Sequence, residues 1–368
     1  MPRPLTATLC LCALLFFAGP AEGRQKMSAA AARRDREVAA RFAPTFRQGV
    51  GDRRRSDFIT NFNFDGDWRG DNNWKNAEDP RFKLRAFVYY AVSETPTHLL
   101  IHYALFHPQD YKGGGLRGPL LSEAIREGVR RGGRYDPTGL AEEAVLAHEN
   151  DMEGCLVVVE KQGDDLGAAR VAYVETLSHN RFLKYAAAGG EGSKGVRVEG
   201  GRAELYVEPK GHGVEAYDGG EGQRPKEGLI IYKFAGRAED PEAETAGAEV
   251  GYDLLPLYTT IWPRALKGEG ETFGAAGDFA LSVKVAGRRG RAGAAKKARL
   301  SRLGAAFRGS VGAANAARAP WGWHDSADRD LPAGSWFFDP AATVKRHFKL
   351  GDTFSTDYTH APFLGIFR

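Results

Sequence analysis

From Phe42 onward, the chain consists of short apolar runs that are separated by Gly, Pro, Asn and Asp. The runs are rich in Val, Ile, Tyr and Phe and about 5–8 residues long, which is typical of β-strands. The clearest runs cover residues 86–92, 99–106, 155–161, 170–176, 203–207, 228–234 and 279–285. The pattern predicts a mainly β protein, an antiparallel β-sandwich with a few peripheral helices and long loops.

Helical periodicity is confined to a few segments. Residues 24–42 are rich in Ala and Arg at helical spacing, which predicts a leader helix or a flexible segment. Residues 120–131 and 139–147 also have patterns that a helix could adopt. No internal repeat is found, and residues 43–368 are predicted to form a single β-sandwich-like domain.

Residues 1–23 have the pattern of a secretory signal peptide. Arg3 is followed by an apolar run at residues 5–18 and by a small-x-small triplet that ends at Gly23. A membrane anchor is disfavoured because the run is shorter than the roughly 20 residues of a spanning helix. We therefore expect a secreted protein, extracellular or periplasmic, in which Cys155 is the one cysteine left after cleavage and no internal disulfide forms.

The chain is nearly balanced in charge overall but contains one strongly basic segment. The formal net charge of the chain is +4, which is too small to indicate nucleic acid as a partner. Residues 284–318 carry ten Lys and Arg and no acid, and Phe307 is their only aromatic residue, which also disfavours nucleic acid. We predict a basic Gly/Ala-rich insertion at about residues 286–318. It is either flexible and solvated or a patch for anionic lipid or polyanionic glycan.

The densest candidate chemistry is His148-x-x-Asp151-x-Glu153, at the start of a Val-rich strand. Alternation along a strand places Asp151 and Glu153 on one face. His148 is expected in the preceding loop, from which it can curl back towards them. One imidazole and two carboxylates suit a divalent cation such as Ca²⁺, Mg²⁺ or Mn²⁺. The alternative is a surface turn whose acids are solvated.

Two further segments carry candidate polar residues. Asp110 follows Pro108 at the end of an aromatic strand, where Asp is also a common turn former. His212 lies between two glycines, an arrangement that is typical of an exposed loop histidine. Residues 61–74 alternate Asp and Asn as in a Ca²⁺ loop, but Asn76 stands where the closing Glu would be, so a structured aromatic loop is the preferred interpretation.

Taken in order, these motifs resemble the NPP1-like family of necrosis-inducing proteins and the related Vps62-like proteins. In the NPP1-like family the heptapeptide is G-H-R-H-D-W-E, preceded by an aromatic strand that ends P-K-D and followed by a His-Gly loop. The resemblance implies a β-sandwich and a secreted cytolysin that acts on sphingolipid headgroups. It also implies a polar residue, His212, at the rim of the site, and a divalent cation with four ligands, Asp110, His148, Asp151 and Glu153.

The chain departs from the family pattern at several positions. Ala147 stands in place of its Gly, Glu149 and Asn150 in place of its Arg and second His, and Met152 in place of its Trp. The segment between Asp110 and His148 is long as well. The cation site is therefore better supported by the sequence than cytolysis.

Two functions follow from these residues. The first is a binder whose cation captures an anionic or glycosylated lipid headgroup or a surface glycan, with peripheral contact to a membrane and no nucleic acid partner. The alternative is a metal-dependent hydrolase of phosphoester or glycan substrates, with His212 or His179 as the acid or base. A third hypothesis is an ion with a purely structural role.

Overall fold

The computed structural model describes residues 26–111, 147–187, 194–243, 247–287, 293–312 and 315–368. The predicted signal peptide at 1–23 and the predicted helices at 120–131 and 139–147 lie outside these ranges, apart from residue 147. None of the helices in the described ranges has the length and apolar character that a bilayer span requires.

Strands dominate the described part of the chain, as predicted. They are β1 Thr45–Gly49, β2 Phe87–Glu94, β3 His98–Asp110, β4 His148–Gln162, β5 Asp165–Ser178, β6 Arg181–Ala186, β7 Lys194–Gly195, β8 Val198–Glu199, β9 Arg202–Val207, β10 Val214–Ala216, β11 Leu229–Phe234, β12 Glu249–Pro256, β13 Phe273–Val285, β14 Ala294–Phe307 and β15 Asp357–Tyr358. The α-helices are α1 Ala29–Phe42, α2 Asn73–Glu78, α3 Trp262–Ala265, α4 Ser335–Phe338 and α5 Pro340–His347. Short 3₁₀ turns lie at Arg54–Asp57, Glu221–Gln223, Pro241–Ala243, Pro320–Gly322 and Pro362–Leu364.

The strands form one large sheet and one small sheet. The large sheet has the order β10-β9-β1-β11-β12-β2-β3-β4-β5-β6-β7, with β8 beside β9, and the small sheet has the order β14-β13-β15. The prediction of an antiparallel sandwich holds only in part: most strand pairs are antiparallel, but the large sheet is mixed, because β1 pairs parallel with β9, and β12 pairs parallel with both β11 and β2. The prediction of a sandwich is not confirmed. Alternation in a sequence identifies a strand but not the direction of its neighbour, which here comes from a distant part of the chain.

The large sheet is curled, so that its central strands are buried on both faces. On β3, Leu99, Ile101 and Tyr103 face one apolar core, to which α1 and β9 also contribute. The alternate residues Leu100 and Phe106 face a second core, which the small sheet and the C-terminal aromatic residues complete. Burial on both faces explains why β3 is a nearly continuous apolar run in the sequence.

Helix α1 occupies most of the segment that was predicted to be a leader helix or flexible. The Ser28 hydroxyl accepts a hydrogen bond from the Ala31 amide at 3.1 Å and caps the helix start. Val38, Ala39 and Phe42 are buried at helical spacing. The helix is therefore held by tertiary packing against the sheet.

A strand accounts for more than half of the described residues in the basic segment at about 286–318. Its described residues include β14, which pairs antiparallel with β13 over the full length of both strands. Ala298 and Leu300 pack on the core, whereas Lys297 and Arg299 are exposed. Small Ala and Gly side chains had suggested a flexible segment, but the alternation of cationic and apolar positions is that of a one-faced strand.

Candidate metal centre

The candidate site lies where β3 ends and β4 begins. In the register of this antiparallel pair, Asp110 is opposite His148 and His107 is opposite Asp151. Asp151 and Glu153 are two residues apart on β4 and both reach the same cavity, as the alternation of a strand predicts. The pairing of two neighbouring strands thus brings the candidate ligands together across 38 positions of sequence.

His148 lies within β4, so the expectation that it would sit in a loop is wrong. Alternation alone would point His148 and Asp151 to opposite faces, because they are three residues apart. Asn150 interrupts the alternation with a left-handed φ of 59°. Its side-chain amide donates to the carbonyl oxygens of Gly70 and Arg308, both at 2.8 Å, which holds this conformation.

All the predicted cation ligands line one cavity of about 40 Å³. This exceeds the ~10–15 Å³ that one water requires and leaves room for an ion with a few waters. The ligands are each buried, and the set comprises Asp110, His148, Asp151 and Glu153. Concentrating carboxylates in a buried site is unfavourable unless positive charge accompanies them.

The hydrogen bonds of His148 test whether the residues suit a cation. His148 Nδ1 lies 2.7 Å from the Asn150 carbonyl oxygen, so Nδ1–H donates and Nε2 is the ring nitrogen that faces Asp110. Nε2 lies 3.3 Å from Asp110 Oδ2. An imidazole nitrogen and a carboxylate oxygen at this distance can share either a proton or a cation. The residues present therefore fit a divalent cation with oxygen ligands and one imidazole nitrogen.

His212 lies beneath the cavity and not at its rim, which corrects the expectation of an exposed loop histidine. The side chain is fully buried. Nδ1 donates to Asp151 Oδ2 at 2.8 Å, and Nε2 forms an ion pair with Asp57 Oδ1 at 3.5 Å. The flanking glycines allow the backbone at His212, with a φ of 54°, to turn inward.

The pKa values of His212 and Asp151 depend on each other. Burial alone would lower the pKa of His212, but its contacts with Asp151 and Asp57 outweigh burial and raise the pKa to about 9. Burial opposes ionisation of Asp151 as well, yet the hydrogen bond from His212 lowers the pKa of Asp151 to about 2. His212 is therefore an imidazolium that holds Asp151 ionised and oriented, as partners of metal ligands do.

His107 was not singled out by the sequence. Its ring stacks on that of His212, with centroids 3.7 Å apart and an interplanar angle of 4°. Nε2–H donates to Gln48 Oε1 at 3.1 Å. Burial, reinforced by the cationic His212, lowers the pKa of His107 well below its ordinary value, so the ring is neutral.

One ligand atom each from His107, Asp151 and His212 lies within 4.8 Å of the other two, so this buried group could also hold a metal ion. The ring stacking argues against it. An ion lies close to the plane of an imidazole that binds it, at about 2.0–2.1 Å from the nitrogen for Zn²⁺. The two stacked rings lie in nearly parallel planes that do not coincide. One ion therefore cannot lie in the plane of both His107 and His212. The cavity is therefore the better candidate.

His179 lies at the mouth of the cavity, in the turn between β5 and β6. Its Nε2 is 2.7 Å from Glu208 Oε2, and both side chains are about one-third exposed. The His179 amide donates to Glu153 Oε1 at 3.3 Å. Of the two histidines predicted as acid or base, His179 can contact a ligand in the cavity, whereas the buried His212 cannot.

The Asp- and Asn-rich loop at 61–74 is a structured aromatic loop. Asp65 accepts hydrogen bonds from the Asp67 amide and the Asn76 side chain, at 3.1 and 2.6 Å. Phe62 stacks on Trp68 and packs in the core. The oxygens that suggested a Ca²⁺ loop thus form the hydrogen bonds of the loop itself.

Sequence reasoning also missed Asp57 and Arg318. Asp57 belongs to a short 3₁₀ turn far from the motif, and no local pattern distinguishes its carboxylate. Arg318 lines the cavity beside Trp323, and within the described part of the chain its Nε has no hydrogen-bond partner. Arg318 was visible in the sequence only as the last cation of the basic segment.

No family model matches the chain, and no curated protein matches it. Similar solved structures include Necrosis and Ethylene inducing Protein 2 from the causal agent of cocoa's Witches Broom disease, at 15% identity over 50% of this chain and 68% of that chain, with a TM-score of 0.28. The non-toxic HaNLP3 protein is 13% identical over 64% of this chain and 81% of that chain, with a TM-score of 0.29. NLPPya in complex with mannosamine is 14% identical over 55% of this chain and 75% of that chain, with a TM-score of 0.27.

The TM-scores are low, so the likeness by itself determines neither the ligand nor the activity. The solved structures are those of necrosis- and ethylene-inducing proteins, the proteins whose pattern the His148-x-x-Asp151-x-Glu153 motif resembles.

Proposed function

We propose that this is a secreted protein that binds a divalent cation and uses it to hold an anionic or glycosylated lipid headgroup or a surface glycan. The observation that carries the proposal is the convergence of Asp110, His148, Asp151 and Glu153 on one cavity. Secretion is supported by the pattern of residues 1–23.

The donor set favours a hard cation, Ca²⁺, Mg²⁺ or Mn²⁺, because three of the four side chains offer carboxylate oxygens. Such an ion binds hydroxyl and oxyanion oxygens of a ligand at coordination positions that the protein leaves open. Arg318 lines the same cavity and adds a guanidinium, which favours a ligand that carries negative charge. A headgroup with both hydroxyls and an oxyanion combines these features.

Mannosamine and glucosamine are practical first probes for the glycan arm of the proposal. Solved structures that are similar to this chain are described as complexes of NLPPya with these aminosugars. Comparing them with a phosphorylated sugar, glucose 6-phosphate, separates recognition of hydroxyls from recognition of charge. Peripheral contact with a membrane is tested with vesicles that contain or lack a glycosylated lipid.

A metal-dependent hydrolase is the second candidate, and His179 is the observation that favours it. Its imidazole is oriented by Glu208 at 2.7 Å and lies at the cavity mouth. This is the arrangement of a general base or acid beside a bound ion. His212 has a positioning role in either case, since it is buried against Asp151.

Metal content of the purified protein and its melting with and without chelator test the proposal. We expect one divalent ion per chain, lost in the Asp151→Ala/Glu153→Ala variant. An ion at 100 times its Kd stabilises by about 2.7 kcal/mol, so chelation should lower the melting temperature of the wild type alone. Asp218→Ala/Glu221→Ala, which removes two exposed carboxylates that do not line the cavity, is the matched control.

The outcomes separate the candidate functions. If the wild type binds no ion and melts alike with and without chelator, both functions are rejected. Ion-dependent binding of an anionic or glycosylated ligand without turnover supports the binder. Turnover of bis-p-nitrophenyl phosphate or a glycan that is lost in His179→Gln supports the hydrolase. A bound ion with neither property assigns it a structural role.

A further inference from the structure

The cavity of the candidate metal centre contains two hydrogen-bond donors that a cation cannot use. Asn180 and Arg318 line it together with the candidate ion ligands. Asn180 Nδ2 and Arg318 Nε are buried, and neither atom has a hydrogen-bond partner among the residues that the structure describes. A buried donor without a partner is destabilising, and more so when the group is charged. Two such donors in one cavity are therefore expected to meet an acceptor from outside the protein.

The backbone of Asn180 is held by a two-residue turn. His179 and Asn180 connect β5 to β6, and their φ angles are 50° and 58°. A positive φ at both central residues is the requirement of the type I′ hairpin turn, and Asn and His both tolerate it. The Asn180 carbonyl oxygen also accepts a hydrogen bond from the Ser326 amide at 2.9 Å. The first donor is therefore carried by a backbone that is fixed on both sides.

The backbone of Arg318 is held by Trp323. The indole Nε1–H of Trp323 donates to the carbonyl oxygens of Arg318, at 3.0 Å, and of Met152, at 2.9 Å. This shared donor joins Arg318 to β4, the strand that carries His148, Asp151 and Glu153. None of the ion pairs among the described residues involves Arg318. The second donor is thus a guanidinium whose charge is not balanced by a carboxylate in that part of the chain.

The cavity therefore combines two kinds of group. Its carboxylates attract a cation, whereas its two donors attract an oxyanion. One ligand can satisfy both, because a divalent ion that is held by carboxylates commonly binds phosphate oxygens at its remaining positions. A guanidinium is a common partner of phosphate as well.

We infer that the ligand presents a phosphomonoester group to this cavity, with one terminal oxygen on the cation and one each on the donors of Asn180 and Arg318. The inference rests on the proposed function, because the first contact needs the cation. Three contacts require three terminal oxygens, which a phosphomonoester has, whereas a phosphodiester or a carboxylate has two. His179 at the mouth of the cavity is about one-third exposed, so the terminal oxygens can enter while the esterified group stays outside.

Three small anions test the number of oxygens. Ca²⁺, Mg²⁺ and Mn²⁺ are first titrated into the purified protein, which is then loaded with the ion that binds most tightly. Methyl phosphate, dimethyl phosphate and acetate are titrated into the loaded protein by calorimetry. We expect methyl phosphate to bind at least about tenfold more tightly than the other two, since each of them leaves one donor without an acceptor. Equal affinity for dimethyl phosphate or for acetate overturns the inference.

A neutral residue separates the effect of the donors from that of charge. Asn180→Gly removes the amide and keeps a residue that is suited to the left-handed backbone. It is expected to weaken the binding of methyl phosphate about tenfold and to leave the affinity for the ion unchanged. Asn315→Gly is the matched control, because Asn315 is also left-handed, with a φ of 63°, and does not line the cavity.

The ion titrations distinguish failure of the inference from failure of the proposed function. If the wild type binds none of the three ions, both are rejected. If the wild type and Asn180→Gly bind the ion alike and also bind methyl phosphate alike, the ion holds the ligand without Asn180, and only the inference is rejected. Loss of the ion in a folded Asn180→Gly variant, as judged by its melting temperature, would make Asn180 an ion ligand and also rejects the inference.

Discussion

The rings of His107 and His212 lie face to face, 3.7 Å between centroids, directly beneath Asp151. For the proposed cation, this stacking favours a position in the cavity over one between the two histidines. His107→Phe, which keeps a ring and removes both nitrogens, should therefore change the affinity for the ion much less than Glu153→Gln, which removes a ligand charge. Calorimetric titration with Ca²⁺ and Mn²⁺ measures both, and a larger loss in His107→Phe would move the ion to the buried triad.

His212 should also matter for stability when no ion is present. It bridges Asp57 and Asp151, and its removal leaves two buried carboxylates without a cation. We expect His212→Gln to lower the free energy of unfolding by about 3–5 kcal/mol in chelator. The Asp57→Asn/His212→Gln double variant should lose less than the sum of the single variants, because the unpaired charge is removed with its partner. Additive losses in urea unfolding would contradict the bridge.

Substitutions at Asn150 can separate the contribution of its left-handed backbone from that of its side-chain hydrogen bonds. Asn150→Ala and Asn150→Gly both lose the hydrogen bonds to Gly70 and Arg308. Only Ala is strained at a φ of 59°, at a cost of about 1–2 kcal/mol. Asn150→Ala should therefore be the less stable of the two and bind the ion more weakly. Equal stability in denaturant would show that the turn is not what places His148.

Substitution of Arg318 should weaken binding of the anionic ligand and leave binding of the ion unchanged. Its guanidinium lines the cavity but is not a cation ligand. Arg318→Gln is expected to keep the metal content of the wild type while the affinity for glucose 6-phosphate falls at least about tenfold, the loss of one charge-assisted contact. Binding of the uncharged reference sugar, glucose, should change little. A parallel loss of metal would make Arg318 a structural part of the ion site.

The stability of the region around α5 should depend on pH through His347. Its Nδ1 lies 2.6 Å from Glu175 Oε1 and its Nε2 lies 2.6 Å from Asp328 Oδ2. Burial would lower the pKa of His347, but the contact with Glu175 outweighs burial and raises the pKa above its ordinary value. Protonation is thus favoured by folding, and the stabilisation is complete below the unfolded pKa and is lost as pH rises through the folded pKa.

His347→Gln measures this contribution. The difference in free energy of unfolding between wild type and variant should be larger at pH 6 than at pH 9. Urea titrations at both values test it, with Lys349→Gln on the neighbouring exposed surface as the control. A difference that grows with pH would show that His347 is neutral in the folded protein.

Much of the fold follows from local pattern. Strands β2, β3, β4 and β5 were predicted because their apolar runs are long and buried, and their alternation also placed Asp151 and Glu153 on one face. The parallel neighbours could not be predicted, since direction is set by chain segments far apart in sequence. β14 was missed because its outward positions are cationic and its inward positions are small, so no apolar run marks it.

The candidate site residues that could be predicted from the sequence are those on two neighbouring strands, β3 and β4. The resemblance implied Asp110, and in the register of β3 and β4 this residue lies opposite His148. Asp57 and His107 could not be found in the same way, because each acts through His212, which itself turns inward from a glycine-flanked loop. Contacts of this kind depend on how distant segments pack and have no signature in spacing.

Because Asp110 and His148 face each other across a strand pair, the chain leaves the sheet and returns to it at the same place. The two ends of residues 112–146 are thus joined to positions only about 4.5–5.5 Å apart between opposite Cα atoms. A tight turn of a few residues is sufficient to span a gap of this size. The alignment of Asp110 with His148 is thus set by the pairing of β3 with β4 and not by the length of the connection between them.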